Sequence, residues 1–214
     1  MVHKHNIVIV GAGGMAQEVM ALLKPLEQQG EIVIQGIIDD TISPRACFHV
    51  DYPYPVLGGI ADYQPVSGTE LILAIGEPQS RLKIAQNLRE KGAKFYNYIH
   101  PNAVIAHNAQ IGEGVIIYPF SLISANTKLE DFVVINCHSG AGHDVYVGEA
   151  SVICAHVDLT GHVKIGKAVL VGSHASVLPH VQVGDYAKVG AGSIVVRNVK
   201  ENVTVFTPPA RSLS

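Results

Sequence analysis

The chain of 214 residues contains no tryptophan, and only 6% of its residues are aromatic and 15% charged. Its formal net charge is −3, so it lacks the basic surface that nucleic-acid-binding proteins use. It also lacks an apolar run of the roughly 18 residues that a membrane-spanning helix needs, and its first residues lack a signal peptide's cleavage region. These absences predict a cytoplasmic protein that binds neither nucleic acid nor membrane.

Cysteine is scarce as well. The three cysteines, Cys47, Cys137 and Cys154, form neither a metal-type pair nor an even disulfide set. We therefore expect reduced thiols, no disulfide bond and no metal site.

What the sequence has in abundance is aliphatic residues with a period of six. From Ile99 to Val195 every sixth residue is aliphatic, a second small or branched residue stands two positions before most of them, and glycine often follows directly, as at Gly112, Gly148 and Gly166. An α-helix cannot keep this period on one face. The pattern predicts short strands with two inward side chains, separated by corners where glycine relaxes the backbone constraint. This is the hexapeptide repeat of a left-handed parallel β-helix, in which three hexads make one coil and residues eighteen apart stack.

The first part of the chain follows a different rhythm. Its predicted elements are strands at Asn6–Val10, Ile32–Ile38 and Glu70–Ile75, a helix after the glycines at 11–14, a loop at Gly58–Tyr63 that enters a short helix, and a long helix at Gln79–Lys91. Alternating strands and helices are typical of a parallel α/β sheet. We expect a small Rossmann-like domain over residues 1–97, followed by the β-helix and a C-terminal tail over residues 98–214.

The glycine-rich turn is a candidate nucleotide site. Gly11, Gly13 and Gly14 fit the fingerprint that brings a phosphate against backbone N–H groups at a helix N-terminus. Asp39 or Asp40, at the end of the second strand, lies where such folds contact a ribose or base. A domain of this size holds only half of a dinucleotide fold, so a single nucleotide is favoured over NAD. A purely structural glycine turn remains the alternative.

Histidines supply the candidate chemistry of the β-helix. Two sets of residues with eighteen-residue spacing should stack at corners: His138, His156 and His174 in one column, and Asp144, His162 and His180 in the other. His162 and His180 are interpreted as solvated corner residues. The first column is open to three interpretations, namely solvated residues, contacts with a partner subunit, or metal ligands. His143 stands beside Asp144 and directly after Gly142, where a close approach to the backbone is possible.

Over nearly its whole length the chain resembles the hexapeptide acyltransferases of the sugar O-acetyl/N-acetyltransferase group. The resemblance rests on Ile7–Gly14, Gly36–Asp40, Val56–Gly59, Ala74–Gly76 with Arg81, Ile99–Pro101, Asn136 seven residues before His143-Asp144, and Val205–Arg211. The members it points to acetylate the 4-amino group of UDP- or GDP-linked amino-deoxysugars for bacterial surface or protein-linked glycans. Relatives act as sialic-acid O-acetyltransferases.

The resemblance implies an acetyl-CoA-dependent N-acetyltransferase that acts on a nucleotide-linked, preferably UDP-linked, 4-amino-deoxysugar. It implies His143 as general base, Asp144 as its acidic partner, direct transfer without an acyl-enzyme, and a homotrimer with active sites between subunits. The implied substrate-binding residues are Gly11, Gly13, Gly14, Asp39, Asp40, Gly76, Glu77, Arg81 and Asn136. The implied acetyl-CoA-binding residues are Gly142, Gly161, Ser173, Ala191, Pro209 and Arg211. Met15 replaces a histidine that several relatives have after the glycine turn.

The proposed chemistry suits these residues. Imidazole titrates near pH 6.5 in general and can take the proton that an attacking amine loses, while a backbone N–H, that of Gly142 or one from a facing coil, would stabilise the oxyanion. Three alternatives stay open: O-acetylation of a sugar such as sialic acid, a γ-class carbonic-anhydrase-like zinc lyase that uses His138, His156 and His174, and a nucleotide-sensing or scaffold protein without catalysis.

Overall fold

The computed structural model describes residues 4–41 and 53–208. Cys47 and two predicted acetyl-CoA contacts, Pro209 and Arg211, lie outside the described residues. The chain divides into two compact units, one comprising Met1–Gly76 and Ser80–Tyr98, the other Glu77–Gln79 and Ile99–Ser214.

The first unit is a parallel α/β sheet. Its elements in chain order are β1 (His5–Val10), α1 (Gly14–Gln28), β2 (Ile32–Ile38), β3 (Val56–Gly58), β4 (Thr69–Leu73), α2 (Pro78–Glu90) and β5 (Lys94–Phe95). The five strands lie in the order β3-β2-β1-β4-β5, and all pairs are parallel. The aliphatic residues of β1, β2 and β4 are mostly buried, as expected for parallel strands covered on both faces.

The strand order positions the candidate nucleotide site. From β1 the chain adds β2 and then β3 on one side, and afterwards β4 and β5 on the other side. Such a switch point opens a crevice outside the carboxyl ends of the strands. The turns at residues 11–14, 39–40 and 76 all follow carboxyl ends of these strands. The fold therefore brings these three predicted segments to one edge of the sheet.

The short helix predicted at the end of the loop Gly58–Tyr63 is wrong, because the described segment between β3 and β4 contains no helix. Residues 60–63 form a turn in which the Tyr63 N–H donates to the Ile60 carbonyl at 3.3 Å. The Ala61 N–H donates to the Asp40 carboxylate at 3.1 Å, so the turn is tied to the end of β2 instead of continuing as a helix.

The second unit is built from two-residue strands. In chain order they are β6 (Tyr98–Ile99), β7 (Val104–Ile105), β8 (Gln110–Ile111), β9 (Ile116–Ile117), β10 (Leu122–Ile123), β11 (Lys128–Leu129), β12 (Val134–Ile135), β13 (Gly140–Ala141), β14 (Tyr146–Val147), β15 (Val152–Ile153), β16 (Asp158–Leu159), β17 (Lys164–Ile165), β18 (Leu170–Val171), β19 (Ser176–Val177), β20 (Gln182–Val183), β21 (Lys188–Val189), β22 (Ile194–Val195) and β23 (Thr204–Val205).

These strands form three parallel sheets, which we call faces 1, 2 and 3. Face 1 contains β6, β9, β12, β15, β18, β21 and β23; face 2 contains β7, β10, β13, β16, β19 and β22; face 3 contains β8, β11, β14, β17 and β20. Residues eighteen apart pair, as Ile123 does with Ala141 and Ala141 with Leu159. The predicted left-handed parallel β-helix with three hexads per coil is confirmed.

The core of the β-helix consists of the aliphatic residues with a period of six and the residues two positions before them. Ile153, Leu159 and Ile165 are fully buried, and so are Val163 and the hydroxyl residue Thr127. The predicted inward pair of each strand therefore forms one continuous core.

The predicted reason for the repeated glycines is wrong. The left-handed backbone occurs two positions further on, at residues such as Asp144 (φ 59°) and His162 (φ 62°). Glycine is needed because neighbouring coils approach closely: a Cβ on Gly148 would lie 2.6 Å from the backbone of Gly166, and a Cβ on Gly166 would lie 2.6 Å from the Asp185 nitrogen.

Within the described part of the chain, none of the helices combines the length and the apolar character that crossing a membrane would require.

Candidate active site

His143 and Asp144 form a hydrogen-bonded pair at the corner between β13 and β14, where face 2 meets face 3. The His143 Nδ1 lies 2.8 Å from the Asp144 Oδ2, and the side chains are 60% and 37% exposed. When Nδ1 carries the proton toward the carboxylate, Nε2 keeps its lone pair. The pair can therefore accept a proton from a group that arrives from solvent.

Two asparagines hold the carboxylate from the preceding coils. Asn126 Nδ2 donates to Asp144 Oδ1 at 3.1 Å, and Asn108 Nδ2 donates to Asn126 Oδ1 at 2.6 Å. Neither residue was predicted as part of the site, although the two precede Asp144 by eighteen and thirty-six positions. The hydrogen bond from His143 lowers the pKa of Asp144 most, followed by the one from Asn126. The carboxylate is therefore ionised at neutral pH and fixes the orientation of the imidazole.

His162 lies one coil beyond Asp144 in the same column. Its Nε2 is 3.9 Å from Asp144 Oδ2, and its ring meets that of His143 edge to face, with centroids 5.0 Å apart. On its other side the ring stacks on His180 at 4.7 Å. The side chain is 46% exposed, so it is solvated as predicted, and it also borders the pair.

Gly161 and the buried Thr127 position the His143 ring. A Cβ on Gly161 would lie 2.5 Å from the His143 Nε2, so the ring packs against a position that has no room for a side chain. Thr127 Oγ1 donates to the Gly142 carbonyl at 2.7 Å, which fixes the residue before His143. Gly161 was predicted as an acetyl-CoA contact, and its packing against His143 was not predicted.

The Gly142 N–H is not available as an oxyanion donor, contrary to the expectation from the sequence. It donates to the Leu159 carbonyl of the next coil at 2.8 Å. Any oxyanion donor must therefore be a different group.

The second histidine column lies at the corner between faces 1 and 2. His138 stacks on His156 at 4.8 Å and His156 on His174 at 4.6 Å, with ring planes within 4° and 3° of parallel, and Phe120 stacks below His138. The lone pairs of imidazole lie in the ring plane, so parallel rings do not direct them toward one point. In the described part of the chain, no group able to hold a metal includes these histidines. This geometry does not support the zinc-lyase alternative.

The remaining predicted β-helix residues occupy both corners that border face 2. Gly142 and Gly161 share the corner of His143, whereas Asn136, Ser173 and Ala191 lie in turns between faces 1 and 2. The Asn136 Oδ1 accepts a hydrogen bond from the Cys137 N–H at 2.6 Å. Within one chain, residues that the resemblance assigns to a single site therefore lie at two different corners of the β-helix.

The glycine turn of the first unit has one structural glycine and two open ones. Gly11 has φ 102°, and a Cβ there would lie 2.7 Å from the Ile75 side chain. Gly13, the residue that precedes α1, and Gly14 are exposed, and an added Cβ on either would meet nothing within 4 Å. Internal packing thus explains the need for glycine at position 11 but not at positions 13 and 14. The backbone at Gly13 and Gly14 is open to a ligand.

The two acidic residues after β2 have different contacts. Asp39 Oδ2 accepts from the Ala12 N–H at 2.8 Å, and its Oδ1 accepts from the Thr41 N–H at 2.7 Å. Asp39 therefore holds the glycine turn in place. Asp40 lines a cavity of about 630 Å³ together with Lys83, Asn87 and Lys91.

The predicted substrate ligands after β4 also differ. Gly76 and Glu77 are exposed. Arg81 is fully buried and donates to the Leu73 carbonyl and, at 3.1 Å, to the Ile75 carbonyl. These contacts stabilise the end of β4, so we do not include Arg81 among the groups that face a substrate.

Two family models match the chain. The model described as PglD N-terminal domain matches residues 6–88, and the bacterial transferase hexapeptide model matches residues 95–125 and 162–197. No curated protein matches the sequence significantly.

Solved structures match nearly the whole chain. PerB from Caulobacter crescentus, in complex with CoA and GDP-perosamine, is 29% identical with a TM-score of 0.79, and the match covers 96% of each chain. The acetyltransferase domain of PglB from Neisseria gonorrhoeae FA1090, in complex with acetyl coenzyme A, is 27% identical with a TM-score of 0.82, covering 98% of this chain and 100% of that one. WeeI from Acinetobacter baumannii AYE is 27% identical with a TM-score of 0.81 and the same coverage. The two family models and the solved structures thus agree: the chain is an acetyltransferase with hexapeptide repeats, and it is similar over nearly its whole length to PerB, which is described with CoA and GDP-perosamine.

Proposed function

We propose that the protein transfers the acetyl group of acetyl-CoA to the amino group of a nucleotide-linked 4-amino-deoxysugar, with His143 as general base. The single observation that carries this proposal is the exposed His143–Asp144 pair, in which the Nδ1 contact at 2.8 Å leaves Nε2 available. The similarity to PerB, which is described with CoA and GDP-perosamine, supports both substrates. We propose UDP as the nucleotide that carries the sugar, with GDP as the alternative.

The base acts after the sugar nitrogen attacks. The neutral amine adds to the thioester carbonyl, and the resulting ammonium of the tetrahedral adduct gives its proton to His143 Nε2. Asp144, ionised and hydrogen-bonded to Nδ1, stabilises the imidazolium. Collapse of the adduct expels the CoA thiolate, which takes the proton from the imidazolium. This sequence of steps needs no covalent enzyme intermediate.

The burial of Cys154 supports direct transfer without an acyl-enzyme. Burial raises the pKa of the Cys154 thiol, which lowers the fraction of nucleophilic thiolate. Incubation with acetyl-CoA alone should therefore leave the intact mass of the protein unchanged. A stable mass increase of one acetyl group that is lost on adding the amino sugar would contradict direct transfer.

We assign the nucleotide to the first unit, with the phosphates at Gly13 and Gly14 and the base or ribose near Asp40. Exposed backbone at the start of a helix is suited to anionic groups. Asp39 contributes indirectly, because it holds the turn through the Ala12 N–H.

We further propose that the enzyme is a homotrimer with active sites between subunits. The predicted site residues occupy two corners, one on each side of face 2. The outward side chains of that face are partly apolar and exposed: Val104 is 62%, Leu122 47% and Ile194 69% exposed. Packing face 2 of one subunit against a second copy would bury this surface and unite the two corners.

The decisive experiment is a mass-spectrometric assay with acetyl-CoA and matched UDP- and GDP-linked sugars that carry either an amino or a hydroxyl group at position 4. We expect acetylation of the amino sugar, and His143→Asn should lower kcat about 10²- to 10⁴-fold. His180→Asn is the matched control, since it removes a corner histidine away from the pair. Acetylation of the hydroxyl sugar alone would favour the O-acetyltransferase alternative. Near-wild-type turnover by His143→Asn would remove His143 from the base role.

A further inference from the structure

Three metal-ligating groups converge at the corner of His143, although the sequence predicted no metal site. Donor atoms of His143, Asp144 and His162 all lie within 4.8 Å of one another. Two imidazoles and one carboxylate are a ligand set suited to zinc and other divalent transition metals. We propose that His143, Asp144 and His162 form an inhibitory site for a divalent transition-metal ion such as Zn²⁺.

The three ligands need side-chain adjustment to close around an ion. The Asp144 Oδ2 lies 2.8 Å from His143 Nδ1 and 3.9 Å from His162 Nε2, and the donor atoms of the two histidines lie within 4.8 Å of each other. Around a tetrahedral zinc ion with ligand distances near 2.0–2.2 Å, neighbouring donors are about 3.4 Å apart. The first separation must therefore widen and the second shorten by about half an ångström each, and the third must shorten by at most about 1.4 Å. Side-chain rotation at an exposed corner can supply these changes.

The ligands are also held in place by their neighbours. Asn126 fixes the Asp144 carboxylate through Oδ1, which leaves Oδ2 facing the two histidines. The His162 ring stacks on His180 with ring planes 7° from parallel. The Asn126 hydrogen bond plays the orienting part that outer-shell groups play in metal sites. The fourth position faces solvent.

Metal binding would switch the base off through its tautomer, and this part of the inference rests on the proposed function. A neutral imidazole that binds a metal through Nδ1 carries its proton on Nε2. The Nε2 lone pair, which would accept the proton of the sugar amine, is then absent. The ion therefore inhibits transfer without needing to occupy the substrate site.

The test combines direct binding with kinetics on the full-length protein. Equilibrium dialysis against Zn²⁺ followed by metal analysis should give one ion per chain in the wild type, removable by a chelator. His162→Asn should lose this ion, whereas His180→Asn should keep it. Asparagine tolerates the left-handed backbone of position 162, and His162→Gly is a second variant suited to the same φ of 62°. Equal zinc content in the wild type and both His162 variants would overturn the proposal.

Kinetics separate this inference from the proposed function. Saturating Zn²⁺ should slow the wild type about 10²-fold, the scale expected for loss of a general base, and should leave the His162 variants little affected. The rate of each variant without metal is the baseline against which its inhibition by Zn²⁺ is measured. Zinc that binds through His162 but does not inhibit would support the site and contradict the role of His143 as base. Inhibition that persists unchanged in both His162 variants would overturn the inhibitory site.

Discussion

At the scale of single residues, the His143 imidazole is positioned by contacts from the coils on either side of it. Asn126 and Thr127 act from the preceding coil, the first through the Asp144 carboxylate and the second through the Gly142 carbonyl. Gly161 acts from the following coil by leaving room for the ring. Because the contacts come from both neighbouring coils, the position of the ring depends on the rise between coils.

Replacing Gly161 tests this arrangement directly. In Gly161→Ala the new Cβ would lie 2.5 Å from the His143 Nε2, so the ring must rotate away from the Asp144 carboxylate. We expect kcat to fall at least about tenfold, since a displacement of an ångström at a reacting group costs that much or more. Steady-state kinetics at saturating acetyl-CoA measures the effect.

Gly140→Ala is the matched control in the strand before His143. Its Cβ would meet only the Asp158 Oδ1 at 3.7 Å, an ordinary contact. Although residue 140 points outward on face 2, one added methyl group changes the surface of that face little, so this variant should fold, assemble and turn over like the wild type. Equal activity of the two alanine variants would show that Gly161 does not position the ring.

At the scale of elements, the period of six predicted the β-helix because each strand needs the same two inward residues. The position of His143 at a corner followed from that period alone. The hydrogen bonds of Asn126 could have been inferred from its spacing of eighteen to Asp144, but asparagine at a corner is also common without a partner. The contact between Gly161 and His143 could not be predicted, because it depends on the ring orientation. The burial of Arg81 depends on tertiary packing that a short motif does not contain.

The inward aliphatic residues should determine the stability of the β-helix. Ile165→Ala removes a fully buried side chain, and we expect it to lower the free energy of unfolding by about 2–5 kcal/mol. Its neighbour in β17, Lys164, points outward, and Lys164→Ala should change the free energy by less than about 0.5 kcal/mol. Denaturant unfolding followed by circular dichroism measures both. A similar loss in the two variants would contradict the inward assignment.

The α/β sheet should lose stability in alkali through Tyr98. Burial, and then the charge of Tyr96, raises the pKa of Tyr98 to about 12, and its hydroxyl donates to the Leu22 carbonyl at 3.1 Å. Because the folded-state pKa exceeds the ordinary value of 10.0, the contribution is complete below pH 10 and is lost as the pH rises toward 12. The temperature of thermal unfolding should fall more steeply between these pH values for the wild type than for Tyr98→Phe. Identical slopes would show that Tyr98 does not carry this dependence.

At the scale of the whole molecule, face 2 should hold the subunits together. Leu122→Glu places a charge on the exposed apolar surface of that face, and we expect the trimer to dissociate. Light scattering coupled to size-exclusion chromatography gives the mass, and an activity assay on the same fractions should show loss of turnover. Lys164→Glu, on face 3, is the control that should keep both. A fully active monomer would contradict a site shared between subunits.

The eighteen-residue register restricts how a chain of this kind can change in length. Inserting one residue within a strand would turn every later inward side chain outward, and inserting six would move all later columns to the next face. Only the addition or removal of a whole coil keeps Asn126, Asp144 and His162 in line. Size variants of this enzyme that stay active should therefore differ by complete coils, except where extra residues bulge out as loops at a corner.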